Sequence, residues 1–216
     1  DRLASQLGLS PVVCLLLVQR GLTPVEEVKK FFKPCLNDLH DPFLMPDMEK
    51  AVKRLNKALG NKEKILIYGD YDVDGTTAVS LVYKYLRPYS SALDYYIPDR
   101  YDEGYGISYK GINYARENGI TLVISLDCGI KAIEKIEYAK QLGIDFIICD
   151  HHMPDDTLPA AVAVLDAKRV DSVYPYEHLS GCGVGFKFMQ AFAKSNNFPF
   201  ADLEKLLELT AVSIAS

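Results

Sequence analysis

The sequence predicts an α/β fold: a mostly parallel sheet flanked by helices, with a short helical extension at the amino terminus. Three observations carry this reading. Apolar runs of strand length recur at residues 65–67, 121–126 and 144–149. Helical segments lie between them, and Gly119 and Gly143 stand where helices end. A β-α-β-α-β order of this kind calls for parallel strands joined by right-handed crossovers.

Residues 1–47 read as the extension. Thr23, Pro24, Val25 and Glu26 have the form of a capping box with proline at the first helical position, opening a helix to about Phe32. Pro34, Pro42 and Pro46 then punctuate a loop. The main domain spans 48–216. It opens with Met48, Ala51, Val52, Leu55 and Leu59 at helical spacing, and Glu49, Lys50, Lys53 and Lys57 fall outside that stripe. This is an amphipathic helix that covers a core.

The first strand ends at Gly69 and is followed by Asp70, Asp72 and Asp74. Gly75, Thr76 and Thr77 lead into a helical segment over 78–86. A strand at 93–97 runs into a loop holding Pro98, Arg100, Tyr101, Tyr105 and Gly106. A helix over 109–118 precedes the strand at 121–126, which ends in Asp127, Cys128 and Gly129. A helix over 131–142 precedes the strand at 144–149, which ends in Asp150, His151 and His152. Residues 153–159 form a loop, and 161–165 a further strand. The glycine-rich stretch 180–185 opens a helix containing Lys187, and its backbone N–H groups suit a phosphate. An amphipathic helix over 202–209 and the start of another buried segment at 209–214 complete the chain.

Three carboxylates at alternating positions repel one another, and a structural turn does not need them. Hard divalent cations relieve that repulsion. A calcium loop is excluded, because the twelfth position counted from Asp70 is Leu81 rather than a bidentate Glu. Ligands of open α/β sheets bind beyond the carboxyl ends of the strands, where Asp70, Asp127 and His151 fall. Carboxylates joined by imidazole suit manganese- or magnesium-like ions in a two-metal site.

Composition sets the class. The chain has 216 residues, 49% hydrophobic and 25% charged, enough for one α/β domain with an appendage. No apolar run reaches membrane-spanning length, and the run at 12–18 has no basic flank before it, so neither a membrane span nor a signal peptide is expected. Five cysteines form no C-x-x-C pair and read as reduced, cytoplasmic thiols. The net charge of −5 argues against tight duplex binding and is neutral on single strands.

In their order and spacing, the Asp70 to Gly75, Asp127 to Gly129 and Asp150 to His152 motifs resemble the DHH phosphoesterase superfamily. The 98–107 and 180–187 stretches are similar to those of its RecJ-type branch of single-stranded-DNA-specific exonucleases, and the likeness runs over nearly the whole chain. It implies metal-dependent 5′-to-3′ hydrolysis of single-stranded DNA in repair and recombination, with two Mn2+ or Mg2+ ions and unnamed repair partners. Asp70, Asp72 and Asp127 are then expected on one ion, and Asp74, Asp127 and His151 on the other; the division among Asp70, Asp72 and Asp74 stays open. Asp150 is expected to orient an imidazole. His152, Arg100 and Lys187 are expected at the substrate phosphate, with Tyr101 and Tyr105 available to stack on bases. The superfamily often has a histidine where this chain has Tyr68, and Asp70 takes its place in this reading.

RecJ-like proteins continue with a fourth motif and a second domain. The resemblance therefore implies a DHH domain truncated at its carboxyl end, short of one carboxylate, in a fragment that is less than fully active. Two alternatives remain: a phosphoesterase acting on short oligonucleotides, cyclic dinucleotides or pyrophosphate, and a non-catalytic DHH-fold scaffold.

Overall fold

A computed structural model describes residues 2–216, which divide into two compact units at Asp41 and Pro42. The first unit holds α1 (Arg2–Leu7), α2 (Pro11–Gln19), α3 (Val25–Phe32) and a 3-10 turn at Leu36–Asp38. Ser10 caps α2 by accepting the Val13 N–H, and Pro11 fills the first position. The expected capping box at Thr23 does not form. The helix starts at Val25, Pro24 stands at the extended cap position, and no side chain caps it, although the helix ends at Phe32 as expected.

The second unit spans Pro42–Ser216. A 3-10 turn at Pro42–Leu44 and α4 (Met48–Gly60) lead into β1 (Ile65–Gly69) and α5 (Val73–Leu86). Then come β2 (Leu93–Tyr96), α6 (Tyr109–Glu117), β3 (Leu122–Leu126), α7 (Ile133–Gln141), β4 (Asp145–Cys149) and β5 (Ala163–Leu165). The last helices are α8 (Gly181–Asn196), α9 (Phe200–Glu204) and α10 (Leu207–Ala215).

All five strands are parallel, in the order β2-β1-β3-β4-β5. The order reverses at β1, so the switch point lies between β1 and β3 and a crevice opens beyond their carboxyl ends. β1 and β3 are buried along their whole length, as parallel strands covered on both faces must be. Leu66, Tyr68, Val123, Phe146 and Ile148 pack with Ile112, Ala115, Ile136 and Ala139 of α6 and α7. The other face meets α5 and α8, where Gly185 lets the helix approach Leu126 and Val82.

The carboxyl-terminal segment differs from expectation. The helix expected over 202–209 breaks after Glu204, and α10 replaces the buried segment expected at 209–214. It rests on α5 and α8 along the side of Ser213, leaving Val212 and Ile214 exposed. Among the described residues, no helix is long and apolar enough to cross a membrane. Cys14, Cys128, Cys149 and Cys182 are buried free thiols, and Cys35 is an exposed one.

Candidate metal centre

The three carboxylates after β1 have three different settings. Asp70 is buried, and its carboxylate accepts the Tyr71 N–H at 2.7 Å and the Gly106 N–H at 3.1 Å. Asp72 is the N-cap of α5, accepting the Gly75 N–H at 2.9 Å. The helix therefore begins at Val73, a turn earlier than the apolar pattern suggests, which puts Asp74 in its first turn. Asp74 reaches across to the amino terminus of α8. Its oxygens accept the Gly181 and Cys182 N–H groups, each at 2.7 Å, and the Ser213 hydroxyl at 2.7 Å. Gly75 permits the tight turn: a Cβ there would lie 2.4 Å from the Asp70 carbonyl oxygen.

Asp127 follows β3 in the left-handed region at φ 60°, with its N–H on the Cys149 carbonyl at 2.9 Å. Its side chain is almost wholly buried, and Oδ1 has no aligned hydrogen-bond donor. His151 Nε2 stands 3.1 Å from that oxygen and 3.6 Å from Asp74 Oδ2. Ligand atoms of Asp127, His151 and His152 all lie within 4.8 Å of one another. Burial pushes the Asp127 pKa up to about 7; the charges of Asp74 and Asp72 add to the rise, and His151 opposes it. The Asp127 carboxylate raises His151 in turn, against the burial of the ring.

Asp150 fixes the segment that follows β4. It accepts the Ile130 N–H at 2.9 Å, the His151 N–H at 2.7 Å and His152 Nδ1 at 2.8 Å. Burial pushes the Asp150 carboxyl up, yet the bonds from His152 and Ile130 hold it below the usual range. The same contact raises His152 to about 9. The imidazole that Asp150 orients is thus that of His152, which lines a cleft of about 460 Å³ with Asp70, Asp127, Gly106, Lys131 and Lys135.

Other expected site residues are not brought to this cluster. Lys187 is 3% exposed, donates to Gln190 at 2.9 Å and lies 5.9 Å from the Tyr174 ring centroid. It does not line the cleft, because α8 is packed nearly all round and carries the ammonium inward. The N–H groups expected to receive a phosphate at the 180–185 turn are occupied as well. Asp74 takes those of Gly181 and Cys182, and the Ser180 hydroxyl takes that of Gly183 at 3.1 Å. Arg100 does not line the cleft; it stands 5.4 Å from the Tyr71 ring, which packs on Tyr105 at 4.5 Å. Tyr105 lines the cleft, and Tyr101 is 92% exposed.

Sequence reasoning missed Asp166. It follows β5 directly, is fully buried, and has one oxygen without a partner, with burial raising its pKa to about 6. The signal was the one used elsewhere, an apolar run ending in a carboxylate. Lys168, two residues on, donates to the His151 carbonyl at 2.6 Å and ties that segment to β5.

A buried carboxylate oxygen with no donor, beside an imidazole and a second carboxylate, fits a divalent cation. Fold and centre together define a class: doubly wound α/β proteins with an acid-and-histidine metal centre at the sheet's switch point. A model of the DHH family, N-terminal domain, matches residues 64–214, and the chain belongs to that family.

The single-stranded-DNA-specific exonuclease RecJ of Bacillus subtilis is 40% identical over 97% of this chain and 26% of its own length. That of Escherichia coli is 33% identical over 94% of this chain and 36% of its own. The chain thus spans about a quarter to a third of these curated relatives. A crystal structure of exonuclease RecJ bound to manganese superposes with TM-score 0.70 at 28% identity, covering 78% of this chain and 42% of the other. RecJ of Thermus thermophilus in complex with Mn2+ superposes with TM-score 0.78 over 98% of this chain and 29% of the other; its 24% identity shows the shared fold.

Proposed function

We propose that this domain is the hydrolytic part of a 5′-to-3′ single-stranded-DNA exonuclease using two Mn2+ or Mg2+ ions, acting in the cytoplasm in DNA repair and recombination. The observation that carries the reading is the donor-free Asp127 Oδ1, 3.1 Å from His151 Nε2 at the switch point of the sheet. The names of the curated relatives support the substrate class.

In this reading Asp127, Asp74 and His151 would hold one ion, and Asp127 with Asp70 and Asp72 would hold the other. When bound, the ions supply a water of lowered pKa and offset the charge that builds on the phosphoryl oxygens. The chain's own groups arrange the rest. Asp150 holds the His152 ring by Nδ1, so Nε2 is left to meet a phosphate oxygen. The α8 amino terminus fixes the Asp74 rotamer through two N–H bonds. Arg100, over the Tyr71 ring, would meet the strand's backbone in this reading.

The test is hydrolysis of end-labelled single-stranded DNA with added manganese, by this chain and by the full-length protein that contains it. Release of nucleotides from the 5′ end, lost in Asp127→Ala, is the expected result. Cleavage of dinucleotides or pyrophosphate but not of long strands would keep the metal centre and overturn the substrate. Manganese-dependent turnover unchanged in Asp127→Ala would overturn the centre.

A further inference from the structure

Tyr68 lies on β1, two residues before Asp70, and is 1% exposed. Its ring stacks on Tyr96 at 5.4 Å, and Gly111 clears room for it: a Cβ there would lie 2.5 Å from the ring. The phenol donates to the Gly106 carbonyl at 2.9 Å and accepts the Ser108 N–H at 3.0 Å. Glu103 gathers the other side of the same loop. Its carboxylate accepts the Tyr96 hydroxyl at 2.9 Å, the Asp99 N–H at 2.9 Å and the Ser108 hydroxyl. Gly106, held between these two anchors in the left-handed region at φ 77°, donates its N–H to Asp70 Oδ2 at 3.1 Å.

We infer that Tyr68 and Glu103 are positioning residues for the metal centre: together they hold the 98–108 loop so that the Gly106 N–H fixes the rotamer of the Asp70 carboxylate that would hold the ion. The inference rests on the proposed role of Asp70 as a ligand. A carboxylate with one oxygen tied to its neighbour's N–H and the other to a remote loop has little rotational freedom left. A partner of that kind sets the geometry of a ligand without touching the ion. Tyr68 therefore acts on the centre through the loop, from a position where the phenol is committed to two backbone groups.

The test compares Tyr68→Phe and Glu103→Gln with the parent chain. Tyr68→Phe keeps the stacked ring and removes only the hydroxyl. Manganese affinity, read by titration calorimetry, is expected to fall roughly 10-fold in each variant, with faster hydrogen exchange at the Gly106 amide. In the DNA assay, the manganese needed for half-maximal rate rises, saturating manganese restores kcat, and KM for DNA stays put. Ile112→Val, a change in the core beneath the loop, serves as the purely structural control and keeps the parent's manganese affinity. If Tyr68→Phe fails to fold, Glu103→Gln carries the test. Unchanged affinity and exchange in the folded variants, with DNA cleavage intact, overturn the inference and leave the nuclease reading standing. A 10-fold loss of manganese affinity, where the full-length protein containing this chain cleaves no DNA, supports the inference and overturns the nuclease reading.

Discussion

Gly181 lies against Asp127 so closely that a Cβ on the glycine would stand 2.5 Å from the Asp127 Cβ and 2.7 Å from its Oδ1. The first turn of α8 thus forms a wall of the proposed metal centre, with Asp74 seated on its N–H groups. Gly181→Ala must push that helix or Asp127 aside. A loss of about 1–3 kcal/mol in urea unfolding is expected, together with weakened manganese binding by calorimetry.

Asp127 makes the metal-free fold sensitive to pH. Its folded-state pKa of about 7 stands above the 3.8 of a free carboxyl, so the folded protein holds a proton that the unfolded chain releases. The Asp127 contribution therefore lowers the stability of the metal-free protein as pH rises between those two values and levels off above the upper one. Urea midpoints with chelator at pH 5 and pH 8 should show the drop. Asp127→Asn should shrink the drop by the Asp127 share, and manganese should reverse that share in the parent alone.

His152 gives a second titration of the same sense at higher pH. Its pKa of about 9 reflects the Asp150 carboxylate at 2.8 Å, and the pairing stabilises the fold fully below the ordinary 6.5 and fades as pH rises through 9. Asp150→Asn removes the charge, so the His152 ring should titrate much nearer 6.5. An NMR titration of labelled histidine reads this directly.

Arg54 ties α4 to the sheet away from the centre. It is 9% exposed, with Nε on Asp145 at 2.6 Å and Nη2 on Glu63 at 2.7 Å. Arg54→Met strands both carboxylates and should cost about 2–4 kcal/mol in urea unfolding, with manganese affinity unchanged. Burial works against Glu63, but Thr121 and Arg54 hold its pKa below the ordinary 4.5. Its contribution is present above that value and is lost as pH falls through the lowered one, so the penalty in Arg54→Met should shrink in acid.

The parallel sheet was legible because four of its five strands, all but β2, are short apolar runs that end in Gly or Asp, a pattern set by local chemistry. The same pattern disclosed Asp70, Asp127 and Asp150, and would have disclosed Asp166 had the run at 161–165 been followed one residue further. The partners of these groups were hidden. Nothing near Asp74 in the chain announces that its carboxylate meets Gly181, Cys182 and Ser213. Lys187 reads as a surface or phosphate-seeking cation from its neighbours, and only the packing of α8 on α5 and the sheet turns it inward. The helix start at Val73 was obscured by Gly75, a weak helix former kept for the approach to Asp70.

The bond from Ser213 to Asp74 joins positions 139 residues apart. A ribosome makes Asp70, Asp72 and Asp74 long before it makes the groups that hold Asp74 still. While the chain is being synthesised, the sheet can pair strand by strand, but that carboxylate keeps its freedom until α8 and α10 have emerged and docked. The proposed metal centre is thus a late product of translation, and a nascent chain interrupted before α8 holds the acidic residues without the clamp that orders them.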